Sequence, residues 1–126
     1  MSERGWIVVG ALLAGTAVAL GAMGAHALKG KLEPEQMLNF ETAVRYQMYH
    51  SLALILVGIV AARGTTTCLT ASGWLFLGGI LLFSGGLYGW IFTAIKPFVH
   101  VVPIGGTLWI IGWVTFAVSQ LMARRS

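Results

Sequence analysis

Trp6 to Leu28, WIVVGALLAGTAVALGAMGAHAL, is the stretch that decides the fold: 23 consecutive residues with no Asp, Glu, Lys or Arg. As a helix rising about 1.5 Å per residue, it crosses a hydrocarbon core of about 30 Å. A secretory signal is the competing reading, because Arg4 precedes the run and Ala25-His26-Ala27 fits a small-residue cleavage pattern. The run outlasts the apolar region of about 7–15 residues that such signals carry, so an uncleaved helix is expected.

Outward from this segment the pattern repeats. A polar lead, 29–41, contains Pro34, Glu35, Gln36, Asn39 and Glu41 and reads as an interfacial helix or as an extension of the next span. Pro34 suits a first helical turn, with Met37, Phe40, Val44 and Met48 at helical spacing behind it. The second span is expected over 42–62, and Arg63 to Thr67 makes a short polar connection. The third, 69–95, carries no charge and ends at Lys96-Pro97, since proline cannot continue the ladder. The fourth is placed at 103–122, with Phe98 to Val102 as its first turn or a short interfacial piece. The expected fold is all-α: one domain, 1–126, forming an integral membrane four-helix antiparallel bundle, because backbone facing lipid must satisfy its own hydrogen bonds.

Composition agrees. The chain is 57% hydrophobic and 10% charged, with a mean hydropathy of +0.83, whereas soluble domains carry about 25% charged residues. A chain this short cannot bury that much apolar surface in one core, so the excess faces lipid. Eight Lys and Arg against four Glu sit singly at the ends of apolar runs, which is a membrane flank pattern and not a nucleic-acid-binding stripe. Cys68 stands alone, which excludes an intramolecular disulfide, and it reads as a small residue near a helix start.

In this topology Arg4, Arg63, Arg124 and Arg125 share one side, side A, and Lys29, Lys31 and Lys96 share the other, side B, with Arg45 just inside the second span. Side A is taken as cytoplasmic, which puts both termini there.

Two sets of residues stand out. Gly10, Ala14, Ala17, Gly21 and Gly24 draw a stripe of small residues along the first span, and Gly78, Gly85, Gly89, Gly105 and Gly112 continue the theme at spacings of four and seven. Such faces let helices approach closely, within the bundle or between copies. The second set is polar: His26, Glu41, Arg45, Tyr46, Gln47, His50, Ser84, Tyr88 and His100, which the topology assigns to the side B half. Polar groups inside a bilayer are expensive, so these form the candidate cluster. Glu41 and Arg45 are an i,i+4 pair in the favourable order. Arg45 is also placed to snorkel to headgroups. His50 is expected to hydrogen-bond Gln47, Tyr46 or Ser84. Three histidines on three helices could hold a metal, two could ligate haem, and Glu41, Tyr46, His50 and His100 could form a proton path. Against ligation, no two histidines have i,i+3 or i,i+4 spacing, and hydrolysis lacks G-x-S-x-G, H-E-x-x-H and any Asp.

Gly21 to Leu28 (GAMGAHAL), Glu41 to His50 (ETAVRYQMYH), Leu82-Phe83-Ser84-Gly85 with Tyr88, and Pro103-Ile104-Gly105-Gly106 together resemble the signature segments of domain-of-unknown-function family 423, the YgdD-like small membrane proteins of bacterial inner membranes. The resemblance covers nearly the whole chain. It implies a four-helix membrane protein, assigns no activity, and directs attention to His26, Tyr46, Gln47, His50 and Ser84. The resulting expectation is a non-enzymatic membrane module with no cofactor and no metal, whose partners are lipid and either copies of itself or a larger membrane complex. An oligomeric ion or solute transporter is the alternative.

Overall fold

The structure, a computed structural model, describes residues 1–123; Arg124 and Arg125, counted above on side A, lie outside the described residues. Four helices span the described chain: α1 Glu3–Leu28, α2 Pro34–Ala61, α3 Thr67–Thr93 and α4 Pro97–Ala123. Each has 26 to 28 residues, about 39–42 Å of helix, which exceeds the hydrocarbon thickness and reaches both interfaces.

The ends are set by local chemistry. Ser2 caps α1, its hydroxyl accepting from the Gly5 N–H at 3.0 Å, and Thr66 caps α3 through the Leu69 N–H at 3.0 Å. These contacts satisfy amide donors that the first helical turn leaves free. Pro34 occupies the first turn of α2, where its missing N–H costs nothing. The polar lead is therefore no separate interfacial piece: from Pro34 onward it is the first two turns of α2. At the end of α3, Ala94 adopts a left-handed conformation with φ 57° and donates its N–H to the Trp90 carbonyl, and Lys96-Pro97 follows.

The fourth helix begins at Pro97 and not at Pro103. Pro103 lies inside it, tolerated because the first turns of α4 pack on α3, even though the Val99 carbonyl loses its helical donor. Two helices also contain a π-helical turn, Gly24–Leu28 at the end of α1 and Ile80–Ser84 in the middle of α3.

Helix α2 is the hub. It touches α1 along its length and α3, reaches α4 through His50 against Trp109 and Trp113, and has 44% of its apolar window buried against 17% for α1 and for α4. Around it lies the core of Trp6, Leu54, Val57, Leu69, Phe76, Ile80 and Trp109.

Glycine creates the close approaches. A Cβ on Gly10 would stand 2.7 Å from the Ser51 carbonyl oxygen, and one on Gly24 would stand 2.6 Å from the Phe40 ring. On the other half of the bundle, Gly89 faces the Phe98 ring at 2.6 Å, Gly112 faces Phe76 at 3.1 Å, and Gly105 lies directly on the Phe83 backbone. Gly78 makes a looser contact with Leu108, 3.3 Å, and Gly21 only an ordinary one with Val44, 3.6 Å. Gly85 meets nothing but its own helix, so it serves no interhelical contact. Gly58 against Ile7, Gly73 against the Trp6 indole and Gly79 against the Trp109 indole are packing glycines that spacing alone did not single out.

Candidate functional site

Gln47 and His50 sit near the middle of α2, about 20 and 24 Å along its axis from Pro34, and both are buried. Three residues apart, they are neighbours on one face of α2, yet they reach different partners. Gln47 reaches the α1 and α3 side: its amide nitrogen donates to the Leu13 carbonyl at 2.9 Å, and its amide oxygen accepts from the Tyr88 hydroxyl at 2.7 Å. One side chain thus ties three helices together. One turn earlier, the Ser84 hydroxyl of α3 donates to the Ala43 carbonyl of α2 at 2.7 Å. Ser84 closes the π turn of α3, whose extra residue rotates the following chain by about 100° relative to a regular helix and so aims the hydroxyl at α2.

His50 lies on the α3 and α4 side. Its ring stacks on Trp109 with centroids 3.9 Å apart and planes 4° from parallel. Its Nε2 accepts from the Trp113 indole N–H at 3.1 Å, and its Nδ1 lies 2.9 Å from the Tyr46 carbonyl. Since Nε2 accepts, Nδ1 carries the proton and donates, which defines the neutral Nδ1–H tautomer. Trp109 in turn donates its indole N–H to the Phe76 carbonyl of α3 at 3.0 Å, and Trp113 packs on Phe76 with centroids 4.6 Å apart. The Ser51 hydroxyl closes the series by donating to the Gln47 carbonyl at 2.6 Å. Among the described residues, no buried side-chain nitrogen or oxygen lacks a partner.

The candidate cluster therefore divides. Gln47, His50, Ser84 and Tyr88 belong to one buried polar belt, with Tyr46 contributing its carbonyl and its ring, which stacks on Trp109 at 5.8 Å. His26 and His100 do not join it: both are exposed, the first at the end of α1 and the second in the first turn of α4. The three histidines do not converge, and no group of three or more His, Cys, Asp or Glu placed to hold a metal occurs among the described residues. With Nδ1 protonated and the Nε2 lone pair accepting from Trp113, the His50 ring as arranged here presents no open lone pair to a metal or a haem iron. The expected His50 bond to Gln47 or Ser84 is replaced by the one to Trp113, because α4 and not α3 presents a donor at that height. Glu41 and Arg45 are exposed and form no ion pair with each other.

The sequence reading missed Trp109, Trp113, Phe76 and Ser51. A signal did exist for the tryptophans: they are four residues apart and so share a face, and a buried indole N–H requires an acceptor.

Comparison with known proteins agrees with this architecture. The family model described as a protein of unknown function, DUF423, matches residues 20–106. A UPF0382 membrane protein of Staphylococcus aureus is 44% identical over 115 residues, covering 90% of this chain and 93% of the relative. One from Staphylococcus epidermidis is 44% identical over 117 residues, covering 92% and 94%, and one from Staphylococcus saprophyticus is 43% identical over 114 residues, covering 90% and 93%. No solved structure matches the chain. With four apolar helices of spanning length and a match that takes in the segments around His26, His50, Ser84 and Gly105, the chain is a membrane protein and belongs to the DUF423 family, whose function is unknown.

Proposed function

We propose that this protein is a non-enzymatic membrane module that self-associates, alone or as an accessory subunit of a larger membrane complex, in the bacterial inner membrane with both termini in the cytoplasm. The observation that carries this reading is the closed polar belt: its side chains bond to one another and to helix backbones within the bundle, with none left over. Apart from a few polar side chains such as Glu41 and Arg45, what the spans leave outside is mostly apolar and, on α1, small. Ala11, Gly15, Ala19 and Ala22 are all exposed and recur at spacings of four and three, a face on which a second helix can approach closely. Gly15 has open space where a Cβ would point, so this stripe is separate from Gly10 and Gly24, which are spent on α2.

Native mass spectrometry from mild detergent tests the proposal. The expected result is a dimer or larger assembly that Gly15→Leu converts to monomer without loss of helicity. A strict monomer with no co-purifying protein refutes it. The orientation rests on Arg4, Arg63, Arg124 and Arg125 on side A against Lys29, Lys31 and Lys96, with Arg45, on side B. Reporter fusions at the C-terminus and in the 29–33 loop should report cytoplasmic and external positions respectively, and the reverse pattern overturns that part.

A further inference from the structure

Between the side B halves of α1 and α2 runs an open groove of about 450 Å³, floored by Ala17, Gly21 and Ala25 of α1 and walled by Val44 and Met48 of α2. Its size falls within the about 300–1,000 Å³ of small-molecule sites, and like them it is apolar with few polar groups. Its polar side chains are Glu41, Arg45 and Tyr49, of which the first two are charged. These two stand one turn apart on the same face of α2, in the order that favours an ion pair, yet they make none with each other. Both side chains are exposed and line the groove.

Depth orders the two charges. The chain enters α2 from side B, so Glu41 lies nearer the membrane surface and Arg45 about 6 Å deeper. A phospholipid lying in the groove presents the same sequence from outside to inside: headgroup ammonium, phosphate, then acyl chain. A guanidinium is the side chain best matched to phosphate, and a carboxylate accepts hydrogen bonds from a primary ammonium.

We propose that this groove is a binding site for one aminophospholipid, with its phosphate on Arg45, its primary ammonium on Glu41 and an acyl chain along Gly21, Val44 and Met48. Arg45 is then a headgroup ligand, and the small residues of α1 on this face keep the acyl track open.

The test is native mass spectrometry of the full-length protein with added dioleoyl phosphatidylethanolamine, phosphatidylglycerol or phosphatidylcholine. Wild type should retain one phosphatidylethanolamine per chain, about tenfold over the other two, because phosphatidylglycerol has no ammonium and the quaternary ammonium of phosphatidylcholine has no N–H to donate. Glu41→Gln should abolish that preference, and Arg45→Gln should release all three lipids. The double variant Glu41→Arg with Arg45→Glu keeps the net charge but reverses the depth order, so it should also lose the lipid. Gly21→Leu should block the track; a Cβ at Gly21 meets only Val44, at 3.6 Å, and unchanged circular dichroism checks that the bundle is intact. Equal retention of the three lipids by wild type, no retained lipid, or retention unaffected by the charge reversal overturns the proposal.

Discussion

Replacing Tyr88 by Phe removes a single hydroxyl and keeps the ring that packs on Phe40 with centroids 5.8 Å apart. The hydroxyl is the donor to the amide oxygen of Gln47 at 2.7 Å, and Gln47 itself is buried. Interhelical hydrogen bonds in membrane proteins contribute about 0.6 kcal/mol on average and up to about 1.7. An acceptor left unpaired in the interior costs about 1–3 kcal/mol. Tyr88→Phe should therefore destabilise by about 1–2 kcal/mol. Gln47→Leu breaks the same bond from the other side, together with the bond to the Leu13 carbonyl, and strands the Tyr88 hydroxyl, so it should cost about 2–3 kcal/mol. Once Gln47 is Leu, removing the hydroxyl strands nothing further. The double variant should then be more stable than the sum of the singles predicts, with a coupling of about 1 kcal/mol. Reversible unfolding in mixed detergent micelles measures all four corners of this cycle. Additivity within about 0.3 kcal/mol would show that the two side chains do not meet and that the belt is drawn wrongly.

Other perturbations separate local packing from open surface. Gly105→Ala drives a methyl into the Phe83 backbone and should destabilise by about 1–3 kcal/mol. Gly15→Ala, which meets nothing, should leave stability equal or raise it by up to about 1 kcal/mol in the same unfolding assay. Ala94→Gly relieves the left-handed conformation at φ 57° and should stabilise by about 0.5–1 kcal/mol, seen as a higher unfolding midpoint; a loss would mean that the cap is formed differently. Trp113→Phe removes the donor to His50 Nε2 and should lower stability by about 1 kcal/mol, whereas His100→Gln, at an exposed position, should leave the midpoint unchanged.

The four spans were legible because run length in an apolar solvent is a one-dimensional property: residues without charge either reach across a bilayer or they do not. The polar residues of α2 were legible by type, since glutamine and histidine at mid-span must find partners somewhere. Their partners were not. α4 is apolar nearly all round, and such a helix carries no stripe to tell which face is inside. Trp109 and Trp113 therefore could not be turned toward His50 by periodicity. The π turn at Ile80–Ser84 shifts the register of α3 by one residue, and the glycine pairs that flank it, Gly78-Gly79 and Gly85-Gly86, read equally well as packing positions in a regular helix. The same limit explains the glycines: spacing found Gly10, Gly24, Gly89, Gly105 and Gly112, but Gly85, equally well spaced, faces only its own helix. Pro97 was read as the stop of the third span and Pro103 as the start of the fourth, whereas α4 begins at Pro97 and carries Pro103 inside it.

The belt as a finished internal structure, and not a ligand or conduction site, rests most heavily on the state of the His50 ring. Nitrogen-15 solid-state NMR in liposomes, on protein carrying His26→Gln and His100→Gln so that His50 is the one histidine left, reads that ring directly. The expected spectrum is a neutral imidazole with the proton on Nδ1, a bare Nε2 hydrogen-bonded to the Trp113 indole, and no change when zinc is added. A proton on Nε2, or a zinc-dependent shift of either nitrogen, would contradict it.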